Sequence, residues 1–273
     1  MAKAIYMRFP DGKTKTLTFS YDDGVEQDIR FIDILDKYNM KGTFNINSGL
    51  YPELTGIESH RLSEAMCKTL YKNHEVAIHG LTHPYLEAIS PAHCTHEIIE
   101  DRRNLEKLTG KIIRGMAYPY GTHNDTVVEI IKNCGIAYAR TTESTHRFSL
   151  PKDWLRLPAT CHHRDPELME LAKNFVEFNT YNKTCKMFYV WGHTYEFDRA
   201  DNWHVIEGFA QYMANREDIW YATNIEIYDY IKAYEQLIFD VDATMCINPT
   251  TTKLWLEKDN TIYSVEPGQT LKF

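Results

Sequence analysis

Leu17-Thr18-Phe19-Ser20-Tyr21-Asp22-Asp23-Gly24 ends a strand and delivers two carboxylates and a glycine just beyond it. Residues 26–38 follow with Ile29, Ile32, Ile34 and Leu35 at helical spacing. Outward from this unit, strand and helix keep alternating. Residues 43–47 read as a strand, 62–72 as a helix and 75–78 as a strand that feeds His79. Ser90 and Pro91 read as the N-cap and first residue of a helix that Gly110 closes. Residues 112–117 extend again, a helix from Asp125 stops at Gly135, and 136–140 form the next strand. Residues 141–181 give no clear assignment. Then come a strand over 186–191, a helix over 204–216, a strand over 219–223 and a helix over 225–237. Such alternation predicts a parallel α/β architecture, and the number of repeats favours a distorted (β/α) barrel over an open sheet.

The last stretch changes character. Residues 253–256 and 262–265 alternate around Lys258-Asp259-Asn260, and Pro267-Gly268 marks a further turn. This predicts two parts: a barrel over 1–241 and a short β-rich appendage over 242–273 packed on it.

The 273 residues, 43% hydrophobic and 25% charged, suit a globular protein long enough to bury a large core. A formal charge of -8, with both signs interspersed, offers no basic stripe for a phosphate backbone, so no nucleic-acid partner is expected. No apolar run approaches the roughly 20 residues that span a bilayer, and residues 1–11 lack the apolar core of a signal peptide. The expectation is a cytoplasmic protein, or a secreted one if a leader was removed, without a membrane partner; oligomeric state is not legible. Six scattered cysteines, with no Cys-x-x-Cys pair, read as small buried hydrophobes rather than a disulfide framework.

Five stretches carry chemistry, each expected just past a strand: Tyr21-Asp22-Asp23-Gly24, His79-Gly80-Leu81-Thr82-His83, Ala117-Tyr118-Pro119-Tyr120-Gly121, Asp153-Trp154 and Trp191-Gly192-His193. In such a barrel the carboxyl ends of the strands converge on the active face. Neighbouring strand residues point to opposite faces, so Asp22 and Asp23 enter one site only if the backbone turns, which Gly24 permits. One carboxylate then binds a cation while the other accepts a proton from water. Alone, Asp-Asp-Gly is a surface turn. His79 and His83, four apart, suggest two imidazoles on one side of a helical turn. With an aspartate they make a two-histidine, one-carboxylate set that keeps a position open for water, as catalytic zinc sites do.

Together these stretches resemble the polysaccharide deacetylases of carbohydrate esterase family four, over roughly residues 16 to 240. That family carries a Thr-Phe-Asp-Asp-Gly-like motif, which Thr18 to Gly24 matches, and a His-x-x-x-His motif with Ser or Thr before the second His, which His79, Thr82 and His83 match. The resemblance implies Asp22 as catalytic base, Asp23, His79 and His83 as metal ligands, and Thr82 as a hydrogen bonder orienting their loop. It implies that the Tyr120 backbone N–H helps hold the oxyanion and that His193 protonates the leaving amine. The chain departs from the pattern twice. Ala117 stands where the family has an arginine that engages the base, as in the Ala-Tyr-Pro-Tyr-Gly variant of exopolysaccharide deacetylases, and Arg140 is a candidate substitute. Thr194 stands where the family has an aspartate beside the histidine, which leaves Asp198 and Glu196 as candidate orienting groups.

The resemblance implies a metal-dependent hydrolase that removes N-acetyl groups from an N-acetylated sugar, oligosaccharide or polysaccharide. Its cofactor is a divalent metal, zinc first, with cobalt, nickel, manganese or iron as alternatives. An amidohydrolase acting on a non-carbohydrate amide or imide, or a carbohydrate-binding protein with weak turnover, are the other readings. Asp153-Trp154 resembles a further family motif, Cys161-His162-His163 is a candidate cleft lining, and Tyr85, Trp191, Tyr195 and Trp203 are candidate sugar-stacking or core aromatics.

Overall fold

The computed structural model describes residues 4–56, 60–178 and 184–273; Met1 to Lys3 of the N-terminal stretch and the end of the 141–181 segment lie outside them. The strands are β1 (Ile5–Arg8), β2 (Lys15–Asp22), β3 (Thr43–Ile46), β4 (Glu75–Ile78), β5 (Gly115–Ala117), β6 (Tyr138–Ser144), β7 (Leu157–Ala159), β8 (Cys161–His162), β9 (Lys186–Gly192), β10 (Ile219–Tyr221), β11 (Ile238–Phe239), β12 (Met245–Ile247), β13 (Leu254–Lys258), β14 (Thr261–Val265) and β15 (Thr270–Lys272). The helices are α1 (Asp28–Lys37), α2 (Pro52–Thr55), α3 (Glu64–Leu70), α4 (Pro91–Thr109), α5 (Asp125–Asn133), α6 (Leu168–Glu177), α7 (Tyr195–Ala200), α8 (Trp203–Met213) and α9 (Asn224–Tyr234).

The central sheet runs β7-β6-β5-β4-β3-β2-β9-β8, and every pairing in it is parallel. β10 adds to the first half of β2, leaving the second half to β3. Only Thr160 separates β7, which pairs with β6, from β8, which pairs with β9. One extended run thus serves both ends of the strand order, and the Thr160 N–H donates to Tyr189 O at 2.9 Å between them. That is the parallel α/β architecture the alternation predicts, with its strands paired along one path from β7 to β8. Both faces of β2 are buried along all eight residues, as expected of a parallel strand covered on both sides.

α4 shows why the helices form where they do. The Ser90 side chain accepts from the His93 N–H, Pro91 occupies the first turn, and Gly110 closes the helix at φ 68. These satisfy groups that a helix terminus leaves without partners. Its inner face buries Cys94, Ile98, Leu105 and Leu108, but also the charged Glu97 and Asp101.

The 141–181 segment resolves into an extended β6, the short β7 and β8, and α6, which buries Leu168, Leu171, Ala172 and Phe175. α7 is an element the alternation did not predict. At the end of the chain, β13 pairs antiparallel with β14 and with the N-terminal β1, while β11, β12 and β15 form a second small sheet. Leu254, Leu256, Val265 and Cys246 pack with Phe9, Tyr230 and Ile231. All six cysteines are free and buried. Among the described residues, no helix is long and apolar enough to cross a membrane.

Candidate active site

β2 ends at Asp22, a side chain only 2% exposed. The turn that separates the two carboxylates falls on Asp23 itself, at φ 83, and continues through Gly24 at φ 62. A non-glycine residue there is strained. Asp22 Oδ1 accepts from Asn45 Nδ2 at 2.8 Å, and Oδ2 is ion-paired with Arg140 Nη2. Burial alone would raise the Asp22 carboxyl, but Arg140, then His79 and His193, outweigh it and hold the group at about 2. Arg140 is fully buried, with its guanidinium 4.4 Å from the centre of the Trp191 ring. It is the third residue of β6, which runs on to Ser144 instead of ending at Arg140.

His79 follows β4 directly. The path to His83 is not a helical turn: Gly80 at φ 75 and His83 at φ 58 make an irregular loop, and this loop, not a helix face, brings the rings together. His79 Nδ1 lies 2.8 Å from Ala117 O. A carbonyl only accepts, so Nδ1 carries the proton and Nε2 keeps its lone pair. That Nε2 lies 3.1 Å from His83 Nε2. Burial lowers both imidazoles, His83 to about 4, so both are neutral at pH 7. Two neutral imidazoles with converging nitrogens, beside Asp23, make a donor set suited to a divalent cation.

The loop is held from outside by α4. Glu97 accepts from the Thr82 N–H and hydroxyl, both at 2.8 Å, and Asp101 accepts from the His79 N–H at 3.0 Å and the Ser48 N–H at 2.8 Å. Glu97 and Asp101 escaped the sequence reading. The signal was there: two acids four apart on a helix face otherwise made of buried apolar residues.

His193 follows β9. Its Nε2 lies 3.8 Å from Asp22 Oδ2 and 4.0 Å from Asp23 Oδ2, and its Nδ1 lies 3.4 Å from Glu196 Oε1. Glu196 is therefore the group that meets His193; Asp198 instead accepts from Trp203 Nε1 and Gln27 Nε2. Thr194, in the family's aspartate position, donates to the buried Asp28. Glu196 Oε2 also meets His162 Nε2 at 3.3 Å and His163 Nε2 at 3.1 Å, so one carboxylate serves three imidazoles. Burial would raise Glu196, but His163 and His193 outweigh it and keep it ionised. For His193 burial works downward; Glu196, Asp22 and Asp23 outweigh it and the imidazole is raised. Gly192 makes the cluster possible, since a Cβ there would come within 2.0 Å of His163 Nδ1.

Tyr120 sits at φ 58, half exposed; its ring stacks on Tyr85 at 3.8 Å and meets the His83 ring edge-on at 4.4 Å. Asp153 and Trp154 lie at the start of the short turn Trp154–Arg156. Instead of following a strand they precede β7, with Asp153 pairing Arg156 at 2.8 Å and Trp154 packed on Tyr228. Local partners account for both residues.

The parallel α/β sheet carries an aspartate pair and a histidine pair at its carboxyl edge, and its fold is similar to that of solved polysaccharide deacetylases. The family model described as "Polysaccharide deacetylase" matches residues 10–139, so that stretch of the chain is similar to this family. It is 24% identical over 156 residues to a chitooligosaccharide deacetylase of Sinorhizobium fredii, covering 57% of this chain and 61% of that one. It is 27% identical over 125 residues to a peptidoglycan-N-acetylglucosamine deacetylase of Listeria monocytogenes, covering 45% of this chain and 25% of the relative. The chain thus spans only part of the length of these curated relatives. In fold, it matches a Mycobacterium smegmatis structure assigned to the polysaccharide deacetylases with a TM-score of 0.61 at 16% identity, over 85% of this chain and 95% of that one. A carbohydrate esterase family four pseudoenzyme from Bacillus anthracis matches with a TM-score of 0.52 at 20% identity, over 82% and 68%.

Proposed function

We propose that this protein hydrolyses the N-acetyl group of an N-acetylated sugar, oligosaccharide or polysaccharide, releasing acetate and a free amine. Asp23, His79 and His83 would hold a divalent cation, zinc foremost. A cation held there would supply Lewis-acid chemistry to an acetamide carbonyl and to water. The observation that carries the reading is the position of His193 Nε2, within 4.0 Å of both Asp22 Oδ2 and Asp23 Oδ2. One proton acceptor, one ligand carboxylate and one proton donor then face a single reacting centre.

Asp22, kept ionised by Arg140, takes the proton of the water. Its low basicity makes it a modest base. The Tyr120 N–H, on a left-handed residue beside His83, serves the developing oxyanion. His193, raised and held by Glu196, gives its proton to the leaving nitrogen, because an amine anion is too poor a leaving group to depart alone. The exposed Tyr85 and Tyr120 rings offer an aromatic face for a sugar.

The test is acetate release from a panel of N-acetylated sugars, chitooligosaccharides, acetylated peptides and cyclic amides, with bound metal measured on the same preparation. Turnover of the sugars with one equivalent of metal is expected. Turnover confined to peptides or cyclic amides would move the protein to the non-carbohydrate amidohydrolases. Sugar binding without acetate release would make it a binding protein.

A further inference from the structure

We propose that Arg61 and Asn47 form a clamp that positions the cation ligands by tying the turn at Asp23 to the loop that carries His79. The inference rests on the deacetylase reading above, in which Asp23, His79 and His83 hold the cation. Arg61 Nη2 donates to Asp23 Oδ1 at 3.0 Å, and Nη1 donates both to the Asp23 carbonyl and, at 3.0 Å, to Asn47 Oδ1. Asn47, 1% exposed, donates from Nδ2 to His79 O at 2.6 Å and to Gly80 O at 2.7 Å. One guanidinium and one carboxamide thus link the two segments that supply the ligands.

The placement of Arg61 is fixed by backbone. Leu62 N donates to Gly24 O at 2.9 Å, Glu26 N donates to His60 O at 2.8 Å, and Val25 and Arg61 face each other in an antiparallel bridge. The residues after the aspartate pair therefore carry the arginine back over it. Asp23 needs this support, since a positive φ on a non-glycine residue persists only where the surroundings over-determine it. With Oδ1 taken by Arg61, Oδ2 is left toward the pocket, 4.0 Å from His193 Nε2. Two effects oppose each other. The guanidinium repels a nearby cation, while the clamp removes the freedom that Asp23 and the His79 loop would lose on binding. The planar fork engages three acceptors at once, which commits Arg61 to holding geometry rather than to acting as a loose charge.

The experiment uses the full chain, with wild type, Arg61→Met, Arg61→Lys, Asn47→Ala, the Arg61→Met/Asn47→Ala double variant and His79→Ala. Zinc and cobalt dissociation constants are measured by competition with a chromophoric chelator, beside the Tm of the metal-free proteins. Arg61→Met and Asn47→Ala should each weaken binding by about 10- to 100-fold, the usual effect of removing a partner behind a metal ligand. The double variant should lose far less than the product of the two, because both act through one link. Arg61→Lys should fall between, and the cobalt absorption spectrum should change in each. Wild-type affinity in both single variants, or losses that multiply, would overturn the clamp. If Arg61→Met does not fold, Asn47→Ala, which keeps the Arg61–Asp23 pair, decides the question. If wild type binds no cation, or His79→Ala leaves it bound, the deacetylase reading itself falls. If His79→Ala strips the cation while the clamp variants bind normally, only the clamp falls.

Discussion

Arg140 and Asp22 form a buried ion pair across 118 positions of sequence, with relative side-chain exposures of 0% and 3%. Arg140 reaches Asp22 from β6, although the family's arginine position, Ala117, is on β5. Because this pair holds Asp22 at about 2, the acid limb of kcat/KM should lie at the bottom of the measurable range. Arg140→Met leaves burial unopposed by its largest counterweight, so the Asp22 carboxyl should rise. A lost neighbouring opposite charge is worth roughly 1–3 units. The acid limb should therefore move upward by at least about one unit, as read from a pH–rate profile. An unmoved limb would show that Arg140 does not tune the base.

Asp22→Asn should keep the cation and lose turnover. The amide preserves shape but cannot take the water's proton, and losing a general base typically costs about 100- to 10,000-fold in rate. Metal content by elemental analysis and kcat on the same protein check both halves. Near-normal kcat would make Asp22 a structural residue.

His79→Ala and His83→Ala should each strip the cation while far-UV circular dichroism stays native. His79 is 1% exposed, and its removal leaves Ala117 O without its imidazole donor, so some stability is lost as well. Full metal content in both variants would remove Asp23, His79 and His83 from the ligand set.

The alternation of strand and helix was legible because each element is set locally, by apolar spacing and by caps such as Ser90, Pro91 and Gly110. β7 and β8, of three and two residues, are too short for a period to appear, which is why 141–181 gave no assignment. The site divides the same way. Asp22, Asp23, His79, His83 and His193 were readable because each closes or follows a strand. Arg140 was a candidate from its place at a predicted strand end, although its partner Asp22 lies 118 positions away; Arg61 and Asn47 meet partners 38 and 32 positions away, which only the folded chain brings together. The histidine pair shows the converse: its spacing suggested a helix, but two left-handed residues deliver the same convergence.

The C-terminal strands should matter for stability before chemistry. Leu256 is fully buried and packs in the core shared with Phe9 and Tyr230, and β13 pairs with β1 along four residues. Leu256→Ala should cost about 2–5 kcal/mol of unfolding free energy, with kcat of the folded fraction little changed. Denaturant unfolding beside the acetate assay separates the two. A stable variant, or a stable protein lacking 242–273 that had lost only polymer binding, would instead favour a substrate-binding appendage.

Glu196 should set the alkaline limb through His193. The imidazole is raised because Glu196, Asp22 and Asp23 outweigh its burial, and a raised base form means that the proton is held to higher pH. Activity requiring protonated His193 is therefore present below that value and lost as pH climbs through it. Glu196→Gln removes the nearest negative charge, 3.4 Å from Nδ1, and leaves burial to dominate, so the alkaline limb should move to lower pH. The acid limb, which belongs to Asp22, should stay where it is. His193→Ala should flatten the alkaline limb and slow acetamide hydrolysis by about 100-fold or more, while an activated acetate ester, whose leaving group needs no proton, loses much less. Equal losses on amide and ester would make His193 a binding residue, and an alkaline limb unmoved in Glu196→Gln would assign that limb to another group.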